Sequence, residues 1–164
     1  MTQQELNMEF VGVKDAAYRY ACSLLHSREE AEDLVQDLYE KLWRRRLLVR
    51  KKGFAALVMV SVRNMCMDIL RNRHREWESG DVVDDWEGER DNMDMVQVVE
   101  KLVERLPQKE REAFHLRVVE GLDYGTVSEI MGIGENAARM ACSRGKAKVK
   151  EELEKIMGYG LQQK

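Results

Sequence analysis

The sequence predicts an all-α protein with two small helical domains joined by an acidic linker. The 164 residues include a single proline, Pro107, and few Phe, Thr and Ile residues, which favours helices over strands. Apolar residues recur at helical spacing through most of the chain. An acidic, glycine-containing stretch without that period covers residues 78–93. We therefore assign residues 1–77 and 94–164 to separate domains, with 78–93 as the linker.

Two amphipathic helices are expected at the start of the first domain. The first lies near residues 8–25, where apolar side chains recur at i, i+3, i+4 and i+7. Ser27 and Glu30 then have the spacing of a capping box, so a second helix follows. Four polar side chains lie off its apolar face, where they could form an ordinary solvated surface or a docking surface: Glu32, Asp33, Gln36 and Asp37.

A strongly basic segment follows the second helix. Six of the nine residues between Trp43 and Gly53 are basic, and residues 41–75 carry eleven bases but one acid. The next helix bears arginine and asparagine beside this segment, a composition that suits a nucleic-acid strand better than a protein partner. The segment includes Arg44, Arg45, Lys51 and Lys52, and the helix bears Arg63, Asn64, Asp68 and Arg71.

The second domain is predicted to contain a helix-turn-helix. Pro107 is expected at the first position of a helix, and Gly121 ends the apolar-periodic segment that follows. Asp123 can cap a short helix, a turn follows at 132–134, and a basic helix begins at about Glu135. In this motif the second helix can enter a major groove of DNA. This helix bears Arg139, Met140, Ser143, Arg144, Lys146 and Lys148.

Composition excludes several other classes of protein. The three cysteines are widely spaced and the three histidines lie far apart, so we expect no disulfide framework, metal site or cofactor. The start of the chain lacks the pattern of a signal peptide. The longest apolar run, residues 54–62, is too short to span a bilayer. The expected protein is therefore neither secreted nor inserted in a membrane.

The order of these elements resembles the extracytoplasmic-function (ECF) group of bacterial RNA polymerase sigma factors over nearly the whole chain. In the first domain, residues 31–37 with Leu42-Trp43 are similar to the helix of sigma region 2, and Arg63-Asn64 with Asp68 and Leu70-Arg71 to its promoter-melting helix. In the second domain the similarity to region 4 rests on Leu106-Pro107, on residues 111–114 and 120–122, and on Ser143-Arg144.

The resemblance implies a role for each group of residues. The acidic helix would dock on the β′ clamp helices of core RNA polymerase, and the β flap would be a further contact. The basic segment and the arginine-asparagine helix would hold the opened −10 element of promoter DNA. The basic helix of the helix-turn-helix would face the −35 element. An anti-sigma factor is the expected regulator, and the expected location is the bacterial cytoplasm, either free or held at the inner membrane through that factor.

The predicted recognition helix departs from the pattern of the family. It has Ala137-Ala138 where the family commonly has threonine and valine, and Met140-Ala141 where polar or basic residues are usual. Gly145 replaces a usual alanine, which weakens a helix by about 0.5–1 kcal/mol. We therefore expect either an unusual −35 specificity or a larger share of it from phosphate contacts and DNA shape.

Two other functions compete with the sigma factor as explanations of the sequence. A free-standing, dimeric helix-turn-helix regulator would account for residues 94–164 but would leave the first domain without a role. A magnesium-dependent nuclease would need Glu32, Asp33 and Asp37 to share an ion. Acids at i, i+1 and i+5 do not converge on one helical face, so we expect no enzyme.

Overall fold

The structure is a computed structural model that describes residues 1–76 and 93–162. The side chains of residues 74–76 and 159–162 fall outside the description, as do Trp77 and the predicted linker apart from Met93. Within the described ranges all regular structure is helical, which confirms the all-α prediction. The helices are α1 (Gln3–Leu25), α2 (Arg28–Arg44), α3 (Phe54–Glu76), α4 (Met95–Glu104), α5 (Gln108–Phe114), a π-helical turn (His115–Val119), α6 (Tyr124–Met131) and α7 (Glu135–Gln162).

Helices α1–α3 form the first unit, in which α1 packs against both α2 and α3. α1 begins earlier than the apolar pattern indicated, because Thr2 and Glu5 form a capping box at its start. Ser27 caps α2 by accepting from the amide of Glu30 at 3.3 Å. The carboxylate of Glu30 pairs instead with Arg73 of α3. The Glu30 half of the predicted capping box is therefore replaced by an ion pair between α2 and α3.

Helices α4–α7 form the second unit. Pro107 is the N-cap of α5, one residue before its predicted position, a shift within the ordinary spread of helix ends. Gly121 has a φ angle of 69°, the left-handed conformation that its predicted helix-ending role requires. Gly132, in the predicted turn, has a φ angle of 66° and ends α6 in the same way. Asp123 caps α6 by accepting from the amide of Thr126 at 2.8 Å. The resulting α6–turn–α7 is the predicted helix-turn-helix.

The two units pack against each other and share one buried apolar core. α3 packs on α6, and α1 contacts α5 and the π-helical turn. At the centre of this contact, the carboxylate of Glu112 is fully buried and accepts from Tyr20 Oη and Arg63 Nε, both at 2.8 Å. At its edge, Arg19 donates two hydrogen bonds to Glu120, at 2.7 and 2.9 Å. Charged groups from both halves of the chain thus hold the units together.

Candidate nucleic-acid interface

The four polar residues predicted for polymerase docking are all exposed on α2. Glu32 and Gln36 line a groove of about 780 Å³ between α1 and α2, whose walls include Val11, Tyr18 and Tyr39. Val11 is 72% exposed although it is apolar. It lies off the buried apolar stripe of α1, so helical periodicity does not identify it. The groove combines an acidic rim with exposed apolar surface, which is a suitable composition for protein contact.

The basic segment between α2 and α3 borders a cavity of about 1000 Å³. Three of the candidate residues, Arg44, Arg45 and Lys52, line it together with Arg50. Lys51 instead lies 3.6 Å from Glu9 of α1. Apolar side chains from α2, α3 and the loop complete the wall: Leu38, Leu42, Leu48, Val49, Leu57 and Met65. An apolar wall with a basic rim can accept a flat aromatic base while its phosphate stays at the rim.

Of the candidate residues on α3, three face solvent and one does not. Asn64, Asp68 and Arg71 are exposed, and Arg71 pairs with Asp68. The side chain of Arg63 is only 22% exposed because its guanidinium is hydrogen bonded to Glu112. The structure therefore separates Arg63 from the exposed α3 residues and places it in the contact between the two units.

Burial and charge around Glu112 shift the pKa values of its neighbours. Burial raises the pKa of Tyr20, and the carboxylate of Glu112 raises it further, so the phenol stays protonated and donates. Burial lowers the pKa of Arg63, but the hydrogen bond and charge of Glu112 outweigh this and the net pKa is raised. Sequence patterns gave no signal for this cluster, because 49 residues separate Arg63 from Glu112.

His115 lies beside the contact between the two units. Among the groups of the helix-turn-helix unit whose pKa is lowered, it is the most buried. Its ring stacks on Tyr20 with centroids 5.8 Å apart, and its Nε2 is 3.4 Å from Glu120 Oε1. Burial lowers the pKa of His115 even though Glu120 acts in the opposite direction. The folded protein therefore favours neutral imidazole at this position.

We expect acidification to destabilise the protein through His115. Because the pKa of His115 is lower in the folded protein, the unfolded chain binds the proton more readily. The contribution of neutral His115 to stability is therefore fully present above its unfolded pKa, about 6.5, and is lost as the pH falls through the folded pKa. His115→Gln should flatten this fall, which urea unfolding at a series of pH values from 7.5 to 5 would measure. Part of the slope should remain, since burial also lowers the pKa of His26. An unchanged slope in His115→Gln would contradict the assignment.

The predicted recognition helix, α7, presents most of its candidate residues to solvent. Arg139, Met140, Ser143, Arg144 and Lys146 are all exposed on this helix. Lys148 is also exposed, but its Nζ lies 2.8 and 3.0 Å from the two carboxylate oxygens of Glu110 in α5. Lys148 is therefore engaged within its own unit, as is Arg139, whose Nη2 lies 2.8 Å from Glu135 Oε1.

Three of the atypical residues of α7 have a packing explanation. Ala138 and Ala141 are buried, so they face the core rather than DNA. A Cβ at Gly145 would lie 3.3 Å from the carbonyl oxygen of Glu110, so the glycine allows α7 to approach α5 closely. Ala137 and Met140 remain on the exposed face. The departure from the family pattern at the surface is thus smaller than the sequence suggested.

Neither a membrane span nor a metal site was found in the described parts of the chain. No helix among residues 1–76 and 93–162 is long and apolar enough to cross a bilayer. The same residues contain no group of three or more His, Cys, Asp or Glu side chains placed to hold a metal ion.

A helix-turn-helix unit with a basic exposed helix, joined to a second helical unit with a basic cavity, defines a modular protein with two candidate nucleic-acid surfaces. Family models match both units: Sigma-70 region 2 over residues 12–76, and Sigma-70, region 4, over residues 97–149. The chain belongs to the ECF group of the sigma-70 family of RNA polymerase sigma factors.

Two relatives agree with this membership. The chain is 26% identical over 139 residues to the RNA polymerase sigma factor SigZ of Bacillus subtilis (strain 168), a match that covers 82% of this chain and 79% of SigZ. Its fold is similar to the sigma factor RpoE of Bartonella quintana, solved in complex with the anti-sigma factor NepR. That match has a TM-score of 0.73 and 25% identity, and covers 90% of this chain and 96% of RpoE. The free-standing regulator is not favoured, because it leaves the region 2 match unexplained.

Proposed function

We propose that this sigma factor binds core RNA polymerase through α2 and directs initiation at promoters that carry particular −35 and −10 elements. Residues 1–77 form the domain that docks on core polymerase and binds the −10 element. Residues 78–93 form a linker, and residues 94–164 form the domain that binds the −35 element. The observation that carries the proposal is the pairing of a basic, apolar-walled cavity in one unit with an exposed basic recognition helix in the other. The protein assists a larger enzyme and performs no catalysis itself.

Core docking uses the exposed acids of α2, Glu32, Asp33 and Asp37, together with Gln36. None is buried, so each can meet a basic partner surface without first breaking core packing. Complementary charge at such an interface accelerates association and fixes the register of the two proteins. The β′ clamp helices are the proposed partner of this face, and the β flap is the proposed partner of the second domain. An anti-sigma factor regulates the protein, which lies in the bacterial cytoplasm or is held through that factor at the inner membrane.

The first unit holds the opened strand of the −10 element. A base that leaves the stack costs a few kcal/mol, which must be offset by stacking and phosphate contacts. The cavity behind Arg44, Arg45 and Lys52 supplies an apolar wall for the base and positive charge for the backbone. Asn64, Asp68 and Arg71 on α3 remain exposed to contact the neighbouring nucleotides.

The compact arrangement of the two units must open before both elements are bound. Arg63 of the first unit contacts Glu112, which lies in the unit that carries the recognition helix. A sixteen-residue linker can reach about 50 Å when extended, at about 3.3 Å per residue, so separated units can occupy distant promoter elements.

Transcription of a promoter library by bacterial core RNA polymerase, with and without this protein, tests the proposal. Protein-dependent initiation from a restricted set of promoters would support it and would reveal both elements together. A palindromic footprint formed without polymerase, combined with no effect on transcription, would support the free-standing regulator instead.

Base recognition by Arg144 can be separated from general attraction to DNA. If Arg144 contacts a base edge, Arg144→Ala should weaken binding to the cognate promoter by about 1–3 kcal/mol and relax the preference for one base of the −35 element. Lys150→Ala provides the matched control on the same helix, because Lys148 is already engaged by Glu110. The control should weaken binding to all sequences alike. Equal, sequence-independent losses in the two variants, measured by holoenzyme binding to promoter fragments, would exclude base recognition by Arg144.

A further inference from the structure

One histidine connects the two sets of charged groups that hold the units together. His115 begins the π-helical turn of the second unit, and its ring stacks on Tyr20 of α1 with an interplanar angle of 19°. Its Nε2 lies 3.4 Å from Oε1 of Glu120. Tyr20 donates to Glu112, and Glu120 accepts from Arg19, so the imidazole contacts one member of each set. A change of charge on this ring therefore acts on both sets.

The imidazole of His115 is buried with one nitrogen unpaired. The residue is 7% exposed. Among the described residues, Nε2 has no hydrogen-bond partner. Histidine is the side chain whose ordinary pKa places its change of charge between pH 5 and 8. A proton can thus be added to the centre of the contact under mild conditions.

The charges at the contact are already matched without that proton. Glu120 is paired with Arg19, and Glu112 with Arg63. Other titratable groups on the elements around the turn are exposed or engaged elsewhere: Asp15 on α1, Lys109, Glu110 and Arg111 on α5, Arg117 in the turn, and Tyr124 and Glu129 on α6. A proton on His115 would add a buried positive charge without a counter-charge, which is costly.

Protonation can also redirect Glu120 within its own unit. His115 and Glu120 both belong to the second unit, whereas Arg19 belongs to the first. A protonated Nε2 would donate to the carboxylate of Glu120 and compete with Arg19, whose side chain is 50% exposed and can turn toward solvent. An ion pair inside one unit would then replace an ion pair between units. The contact is weakened whether the new charge stays unpaired or takes Glu120.

We propose that His115 is a proton sensor at the contact between the two units, and that its protonation separates the units while both remain folded. This inference goes beyond the proposed function, because it concerns the free protein and its test needs neither polymerase nor DNA. Separation also releases the guanidinium of Arg63 from Glu112. Acidification would therefore increase the fraction of the protein in which Arg63 is available to another partner.

Linkage between protonation and separation gives the direction and size of the effect. Burial lowers the pKa of His115 in the compact protein, and exposure after separation returns it to about 6.5. The separated state therefore binds the proton more readily. The compact state is fully favoured above about pH 6.5 and loses this advantage as the pH falls through the lower pKa. Between pH 7.5 and 5.5 the ratio of separated to compact protein should rise by up to about tenfold.

Small-angle X-ray scattering of the full-length protein from pH 7.5 to 5.5 measures the separation, and circular dichroism over the same range measures helix content. The radius of gyration should rise on acidification while helix content stays constant. His115→Phe keeps an aromatic ring beside Tyr20 but cannot bind a proton, so it should remove most of this rise. A small part should remain from His26, which is more exposed and lies near Arg111 of the second unit.

A matched control adds a titrating imidazole away from the contact. Gln4 is exposed near the start of α1, about 24 Å along the helix from Tyr20 at 1.5 Å per residue. Gln4→His leaves the net charge at pH 7.5 unchanged and gains a proton on acidification, as His115 does. It should retain the wild-type response. A full wild-type response in His115→Phe, or expansion together with loss of helix content, would overturn the inference.

A second measurement decides the question if the wild type stays compact throughout or if His115→Phe is already expanded at pH 7.5. Nuclear magnetic resonance of the histidine ring protons gives the titration midpoint of His115 directly. The inference requires a midpoint below about 6.5 in the wild type, and a higher one in Glu112→Gln, where the contact between the units is weakened. A wild-type midpoint at or above about 6.5, or the same midpoint in both proteins, would overturn it.

Discussion

Glu112→Gln is expected to loosen the contact between the two helical units and to lower the free energy of unfolding by roughly 2–4 kcal/mol. Removing one partner of a buried ion pair typically costs about 3–5 kcal/mol. The lower range applies here because Arg63 is 22% exposed and can turn toward solvent, whereas the fully buried Tyr20 keeps only the weaker, uncharged amide oxygen of glutamine as its acceptor. Urea unfolding would measure the loss of stability, and small-angle X-ray scattering would measure the expected increase in radius of gyration.

A double-mutant cycle assigns this effect to the pair of residues rather than to the substitution alone. Arg63→Met and Glu112→Gln should be non-additive if the two side chains stabilise each other, with a coupling of about 0.5–3 kcal/mol. Glu129→Gln changes an exposed acid on α6 and should alter stability by less than about 0.5 kcal/mol. Additive effects of Arg63 and Glu112, or an unchanged radius of gyration, would mean that this cluster does not hold the units together.

The Arg63–Glu112 pair also links stability to promoter binding. The resemblance to region 2 implied that Arg63 contacts the −10 strand, but in the compact arrangement its guanidinium is occupied by Glu112. One guanidinium cannot serve both partners in the same geometry. Binding of Arg63 to DNA therefore requires loss of the Glu112 contact. The free energy needed to break that contact reduces the net free energy gained on promoter binding.

Local features of the fold were predictable because they depend on neighbouring residues. The left-handed conformations of Gly121 and Gly132 and the cap at Asp123 each follow from a few consecutive residues. The start of α7 at Glu135 was predicted on the same basis. These features locate the helix-turn-helix within the chain.

Contacts between distant parts of the chain were not predictable in the same way. Arg19 and Glu120 are 101 residues apart, and no helical period or motif relates them. Ala138 and Gly145 were interpreted as departures on a DNA-facing surface, whereas one is buried and the other allows a close approach to α5. A single sequence does not reveal which face of α7 packs inward when small residues occur on several faces. The sequence therefore indicates candidate surfaces, but which of their residues are buried or paired within the protein required the structure.

Replacement of Glu32, Asp33 and Asp37 by alanine is expected to reduce protein-dependent transcription at least a hundredfold while leaving the fold intact. Truncation of one important interface residue typically costs about 2 kcal/mol or more of binding free energy, and the loss of three acids from one face should together exceed that. All three side chains are exposed, and the ion pair of Asp37 with Lys41 has a separation of 4.0 Å and contributes little to stability. Alanine also favours a helix more than aspartate or glutamate does, so α2 should persist.

The matched control removes the same charge from a different surface. Glu151, Glu152 and Glu154 are exposed acids near the end of α7, and their replacement by alanine changes the net charge by the same amount. Both triple variants should melt like the wild type, and only the α2 variant should fail to bind core polymerase in a pull-down and to initiate transcription. Equal losses in the two variants would indicate a general effect of net charge. Wild-type activity in the α2 variant would move the docking surface away from these acids, leaving the apolar groove of Val11 and Tyr39 as the part of α1 and α2 to test next.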